Sequence, residues 1–394
     1  MRLRRSFVAA AAAFVITLVF SHLRSTPYNN YTLFAYALLH GRLWIDWPGA
    51  YIDAVLWHGH RYIVNDPLPG FFMLPLVAIF GMAANQTFLA VVLCAIAVGA
   101  AWELCERLGC SERTSLWLCA FFLAGTSLAW CSMLGDVWFV AQSSAVCLMT
   151  LALAELAGKN RTWLVMLLYA AAIASRFTVV MALPVIAYLT ASGGLRASLP
   201  ARATVHELGR RGAAMAVVLV PAALLWVTYN LVRWGVPWDS GHTIFFHEDS
   251  VGSATGSPFS LANVPYQLWS LFVQYPDFSG TFPWIRPSFS GVALTWTSPA
   301  LILAFFTRRP LHVVTALWVA TLLAAGPNLL YYVNGYAQYG MRHALDFMPF
   351  LFVLMIFAAR QRLARWAEIL IAYSCIASTY GVWYWNAIVR NGGN

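Results

Sequence analysis

At 394 residues, with 61% of them hydrophobic, 10% charged and a mean hydropathy of +0.67, the chain is too apolar for a soluble domain, in which about a quarter of residues are charged. The formal charge of +9 does not signal nucleic acid, because the basic residues form short clusters between apolar runs rather than one basic face. Apolar runs of roughly 17 to 25 residues recur along the whole chain, each long enough to cross a hydrocarbon core as a helix. They leave no room for a separate soluble domain. The expected fold class is all-α, a polytopic transmembrane helix bundle with large non-cytoplasmic loops.

In chain order, the first run (about 7–20) follows Arg2, Arg4 and Arg5 and has no small-residue cleavage site ahead of His22, Leu23 and Arg24, so it reads as a retained signal anchor. Two runs, about 68–83 and 85–104, follow a polar segment, 23–67. From Ser115 onward spans are expected at about 115–134, 137–157, 163–175, 177–191, 213–233, 291–306, 311–327, 346–359 and 367–387. Basic clusters at Lys159 and Arg161, at Arg196, Arg202, Arg210 and Arg211, at Arg308 and Arg309, and at Arg360, Arg362 and Arg365 join the N-terminal one on the cytoplasmic side by the positive-inside rule.

That assignment puts Gly135–Asp136, the turn at Arg176, a second long polar segment (234–290), the stretch 328–345 and the C-terminus on the other face. Parity fails between residues 66 and 114, where two full crossings end on the wrong side. Either one run is re-entrant or lies along the surface, or the mixed-charge loop of Glu103, Glu106, Arg107, Glu112 and Arg113 is external. The first solution gives about eleven crossings among about twelve apolar segments. The seven cysteines lie mostly inside apolar runs, and an odd count without CxxC argues against a disulfide framework or a zinc site.

The two long polar segments are rich in Trp, Tyr, Pro and Gly, and loops of this length are usually functional or disordered. Ionisable groups at the edge of a membrane bundle mark function more often than in soluble proteins. The first segment offers Asp46, Asp53, His58, His60, Arg61 and Asp66. Asp53 can serve as a general base or a divalent-metal ligand, and any of the carboxylates can equally be a solvated loop charge. His58 and His60, two apart, would share one face of a strand, as a metal site can use, or would simply be interfacial histidines.

Arg176 interrupts an apolar stretch and calls for an anion such as phosphate, or for a carboxylate, with Asp136 the candidate. Arg342 and Asp346 stand four apart and can pair along a helix, or a phosphate can take Arg342. Tyr229, Asn230, Arg233, Asp239, His242, His247, Glu248, Asp249 and His343 are further candidates on the same face.

The ordered series Tyr28–Asn29–Asn30–Tyr31, 37–43, Tyr51–Ile52–Asp53, Gly59–His60–Arg61–Tyr62, Asp66–Pro67–Leu68–Pro69, Gly135–Asp136–Val137–Trp138, Ala174–Ser175–Arg176–Phe177–Thr178, Tyr229–Asn230 with Arg233–Trp234–Gly235, and Gly340–Met341–Arg342 resembles membrane-embedded glycosyltransferases of the C-type (GT-C) fold. The resemblance spans nearly the whole chain. It implies transfer of a hexosyl or pentosyl group from a polyprenyl-phosphate-linked sugar to a glycan, lipid or protein acceptor, with inversion and with a divalent metal as an optional cofactor. It also implies a catalytic acid in the first segment, Asp53 with Asp46 as rival, and donor-phosphate contacts from Arg176 and Arg342. The paired acidic motif usual after the first span is replaced by Asn29 and Asn30. The implied setting is a bacterial cytoplasmic membrane, N-terminus inside and active face periplasmic or extracellular.

Two other classes stay open. A transporter of a lipid-linked or small polar substrate would show paired inverted halves with matching helix breaks, and no such symmetry is visible. A membrane acyltransferase or ligase would rest its chemistry on a histidine such as His242 or His343. No Gly-rich phosphate loop is present for a nucleotide.

Overall fold

The computed structural model describes residues 2–46, 53–197, 204–238, 241–248, 256–308, 310–336, 338–360 and 362–389. Tyr51, Ile52, Arg202, Asp239, Asp249, Arg309 and the side chains of His247 and Glu248 lie outside them. The helices are α1 (Arg2–Ser21), α2 (Asn30–Leu39), α3 (Leu68–Phe80), α4 (Gln86–Arg107), α5 (Glu112–Ala124), α6 (Leu128–Met133), α7 (Val137–Leu156), α8 (Thr162–Ser175), α9 (Leu183–Ala191), α10 (Val205–Trp234), α11 (His242–Glu248), α12 (Val264–Phe272), α13 (Leu294–Thr297), α14 (Leu311–Leu330), α15 (Met348–Ala359) and α16 (Arg365–Tyr384). Short 3₁₀ turns extend α9 (Phe177–Ala182), α13 (Pro299–Phe306) and α15 (Arg342–Asp346) at their N-terminal or C-terminal sides. The strands form two small hairpins, β1 (Ala54–Trp57) with β2 (His60–Ile63), and β3 (Asp277–Phe278) with β4 (Ile285–Arg286).

Local signals set several helix starts. Asn85 accepts from Phe88 N at 3.2 Å to cap α4, and Ser111 accepts from Thr114 N at 3.2 Å to cap α5. Thr204 caps α10 through Glu207 N at 3.2 Å, and Glu207 lies at the third helical position, as in a capping box. This helix therefore starts eight or so residues ahead of the span expected from hydropathy, and at a rise of 1.5 Å per residue its 30 residues run about 45 Å. The span expected at 115–134 is broken at Gly125–Ser127 into α5 and α6.

The bundle has two ends of different chemistry. At one, Arg5 pairs with Glu112 at 2.8 Å, Arg113 with Glu368 at 2.8 Å and Arg161 with Glu155 at 2.9 Å, and Arg107 donates to Ala154 O at 2.5 Å. At the other, Asn85 donates to Leu23 O at 2.6 Å, Thr87 to Arg24 O at 2.7 Å and Asn386 to Phe20 O at 3.1 Å. From the basic end to the opposite end run α1, α5 with α6, α8, α10, α14 and α16. Back again run α4, α7, 177–191, 294–306 and 342–359. Among the described residues five helices are by themselves long and apolar enough to cross a membrane: α1, α4, α7, α10 and α14. The others pass in shorter or broken pieces.

The parity problem has a physical solution in α3. Its start follows Asp66, which accepts from Phe177 N at 2.8 Å, and just past its end Ala84 O accepts from Thr32 Oγ1 at 3.4 Å. Both ends of α3 thus lie at the end opposite the basic clusters, so the run at 68–83 does not traverse the bundle. It packs instead along α2, where Gly70 sits so close to Phe34 that a Cβ would come within 2.5 Å of the ring.

α4 packs along α1 on one side and along α7 on another. Buried Ala, Gly, Thr and Cys line α4 and buried Ala, Ser, Thr and Cys line α7, small residues that allow helices to approach closely without a hydrophobic drive between them. By contrast most of α10 faces outward with exposed Val217, Leu224, Leu225 and Val232, as a lipid-facing helix must.

Candidate active site

The described residues of the first polar segment are folded onto the bundle. Gln86, at the start of α4, accepts from Tyr31 N at 3.0 Å and Thr32 N at 3.1 Å, supplying the acceptors that the first turn of α2 lacks, and donates to Gly135 O at 2.5 Å. One buried amide thereby fixes Tyr31 and Thr32 relative to the α6–α7 turn. Gly135 is obligatory there, since a Cβ would come within 2.3 Å of Thr87 Oγ1.

The β1–β2 hairpin corrects the expectation for His58 and His60. Trp57 pairs directly with His60, so His58 and Gly59 are the two turn residues, with φ of 48° and 80°. Two positive φ values are what a tight I′-type hairpin requires, which takes His58 off the strand and away from any face shared with His60. Both are exposed, and His60 stacks on Trp44 at 4.2 Å. Asp46 is likewise peripheral: its side chain is 76% exposed and bonds Arg42 at 2.8 Å. Among the described residues no group of three or more His, Cys, Asp or Glu side chains is placed to hold a metal ion.

The other predicted residues converge at the end opposite the basic clusters. Asp53, half-buried, accepts from the indole N–H of Trp138. Arg342 packs over the same residue, its guanidinium carbon 5.8 Å from the Trp138 ring and 5.1 Å from the Phe139 ring. It is only 8% exposed, it lies within charge–charge reach of Asp53 and Asp136, and its Nε and Nη1 are buried without a hydrogen-bond partner. An unpartnered buried donor costs about 1–3 kcal/mol, and more when charged. Asp136 accepts from Thr26.

Arg176 is engaged differently. Its Nε bonds both oxygens of Asp346, at 3.0 and 3.2 Å, and Asp346 also accepts from Thr178 Oγ1 at 2.7 Å and Asn328 Nδ2 at 2.8 Å. Arg176 thus pairs with Asp346 rather than with Asp136, and Asp346 pairs with Arg176 rather than with Arg342. The helical Arg342–Asp346 pairing does not form because 342–346 is a 3₁₀ turn, in which residues four apart no longer stack on one face. His343 lies in that turn, half-buried, in charge–charge reach of Arg176 and Arg342.

The end of α10 completes the wall. Arg233 lies 3.7 Å from the Tyr229 ring centre and donates to Ile63 O at 2.7 Å and Asn230 Oδ1 at 3.3 Å. His242 opens α11, whose Ile244 and Phe245 pack on Val55, Val64 and Trp234.

Sequence reasoning named Asp66 among the carboxylates of the first segment but gave it no role in the site. Its Oδ2 accepts from Phe177 N at 2.8 Å, while its Oδ1 is buried without a partner. Burial pushes its carboxyl up to about 7, against the opposing pull of the Phe177 N–H and of Arg176 and Arg233. Tyr31, fully buried, lies in charge–charge reach of Asp66, Arg176, Tyr229 and Asp53. The Asn65–Asp66–Pro67 run ahead of an apolar helix was the available signal, since a carboxylate there must meet the bundle rather than water.

No protein-family model and no curated protein matches this chain. Among solved structures it is similar to the archaeal oligosaccharyltransferase AglB from Archaeoglobus fulgidus, determined with an inhibitory peptide and a dolichol-phosphate, at 14% identity and a TM-score of 0.48. The alignment covers 95% of this chain and 55% of that one, so the chain spans about half the length of that protein.

Proposed function

We propose that the chain is a membrane glycosyltransferase that moves a sugar from a polyprenyl-phosphate donor to an acceptor hydroxyl. The observation that carries this reading is the pair Arg342 and Asp53 on Trp138, one over its ring and the other on its indole N–H: a buried guanidinium with two unused donors near a carboxylate held in place by that N–H. The ordered motifs of the GT-C resemblance fall on the same residues. The face is taken as the non-cytoplasmic one because the basic clusters gather at the other end.

In the proposed reaction the acceptor hydroxyl gives its proton to Asp53 as its oxygen attacks the anomeric carbon from the face opposite the phosphate. The bond from that carbon to the phosphate oxygen breaks, and the polyprenyl phosphate leaves with the electron pair and an added negative charge. Arg342 stabilises that charge, which grows as the bond breaks and is worth most in a site shielded from water. The prenyl tail lies among the exposed apolar side chains of the bundle. One displacement inverts the anomeric centre.

The test is turnover of purified protein with a panel of polyprenyl-phosphate-linked hexoses and pentoses. Removing a general base costs about 10² to 10⁴-fold in rate. Asp53→Asn is expected to lose that much while binding the donor as wild type does. Wild-type turnover in Asp53→Asn would remove Asp53 from the reaction.

A further inference from the structure

Beside the Arg342–Asp53 pair, four more polar atoms are buried without a hydrogen-bond partner among the described residues: Asn30 Oδ1, Tyr31 Oη, Asp66 Oδ1 and Tyr229 Oη. They come from three separate stretches of chain, the first turn of α2, the approach to α3 and the last turns of α10. Tyr31 is in charge–charge reach of Asp66 and Tyr229, Tyr229 of Asp66, and Asn30 donates to Asn65 Oδ1, the residue before Asp66, at 3.2 Å. Asn30 and Tyr31 are both fully buried.

Each member is held by something other than the atom it leaves open. Tyr31 is fixed through Gln86 on its backbone N–H, Asn30 through its own amide donating to Asn65 Oδ1, Asp66 through Phe177 N, and Tyr229 by the guanidinium of Arg233 on its ring and Phe34 against its edge. Folded proteins leave few buried polar groups unmatched, so four in one place require an explanation. Two phenols that donate and accept, an amide carbonyl that accepts and a carboxyl near its titration point suit a partner that also both donates and accepts. Several hydroxyls on one ring meet that description. An anion would meet the Asp66 carboxyl and the Asn30 amide oxygen, and a cation would find one carboxylate with Arg176 and Arg233 close by.

We propose that Asn30, Tyr31, Asp66 and Tyr229 form a subsite that binds a sugar ring through its hydroxyls. The proposal rests on the glycosyl-transfer reading and deepens it, because the ring can belong to the donor or to the acceptor. Asp66 can present a protonated oxygen to it at neutral pH.

The experiment measures binding to wild type, Tyr31→Phe and Tyr229→Phe in nanodiscs. The probes are bare polyprenyl phosphate, the same lipid carrying a hexose or a pentose, and the methyl glycosides of those sugars. Phe keeps the ring volume, and neither hydroxyl has an intramolecular bond to lose, so the variants are expected to fold. If the ring is the donor's, wild type prefers a sugar-bearing lipid over the bare one, and each variant loses about tenfold of that preference. If it is the acceptor's, wild type binds a methyl glycoside and each variant binds it about tenfold more weakly. In both arms bare polyprenyl phosphate binds the variants as it binds wild type. Sugar preference and glycoside binding unchanged in both variants, or absent from a wild type that binds the bare lipid, would overturn the subsite. A wild type that ignores bare polyprenyl phosphate yet binds glycosides in a Tyr-dependent way would keep the subsite and overturn the phosphate reading.

Discussion

Asp346 sets both carboxylate oxygens against Nε of Arg176, at 3.0 and 3.2 Å, and so locks the break between α8 and the 177–182 turn to the start of α15. Asp346 is 1% exposed and fully hydrogen-bonded, so the pair behaves as a buried ion pair. Removing one partner of such a pair leaves an uncompensated charge and costs about 3–5 kcal/mol. Arg176→Ala and Asp346→Ala are each expected to lower the thermal unfolding temperature in detergent strongly, and the double variant by less than the sum of the two. Single variants as heat-stable as wild type would show that the pair does not hold the bundle. Loss of function in Arg176→Ala therefore does not by itself assign Arg176 to a donor phosphate.

Asp66 gives the fold a pH dependence of known sign. Its folded pKa is raised from 3.8 to about 7, so the folded state holds a proton that the unfolded chain has released. The favourable contribution is complete below about pH 4 and is lost progressively as the pH rises through about 7. Unfolding temperature between pH 5 and 8 should fall less steeply in Asp66→Asn than in wild type. Equal slopes would place the titrating group elsewhere.

Much of the bundle was readable because apolar length and basic clusters act on each run independently. The failure of parity at 66–114 left two solutions open, and α3, which does not traverse the bundle, fits the first of them. The site was readable only in part. Asp53, Arg176, Arg342 and Tyr229 announced themselves as polar residues against apolar neighbours, whereas the partner of each depends on which segments meet in space. Asp346 offered Arg342 at helical spacing and took Arg176 instead, and Gln86 and Tyr31 look like ordinary helix residues until α2 and α4 are placed side by side. For His58 and His60 the signal was local: a His-Gly pair between two short strand-like runs is turn chemistry, and the two-residue alternation was the wrong template.

The separation of charge between the two ends predicts opposite exposure of their residues. Lys159 is exposed at the basic end and Thr281 at the tip of the β3–β4 hairpin. On a background without the seven native cysteines, Lys159→Cys should react with a membrane-impermeant thiol reagent only from the cytoplasmic side and Thr281→Cys only from the outer side. Reaction of both from one side would invalidate the orientation, and with it a lipid-linked donor reached from outside.

The measurement that bears most directly on the account is binding of polyprenyl phosphate, set against the uncharged polyprenol of the same length, to wild type, Arg342→Met and Arg342→Lys. Hydrogen bonds to a charged group contribute about 1.5–3 kcal/mol, so wild type should prefer the phosphate by about ten- to a hundredfold. Methionine should abolish the preference, and lysine, which binds as a point charge, should restore part of it. Because Arg342 keeps two buried donors unpartnered, Arg342→Met should unfold at the wild-type temperature or above it. A phosphate preference that survives in Arg342→Met, in protein of unchanged stability, would contradict the assignment of the phosphate to this arginine.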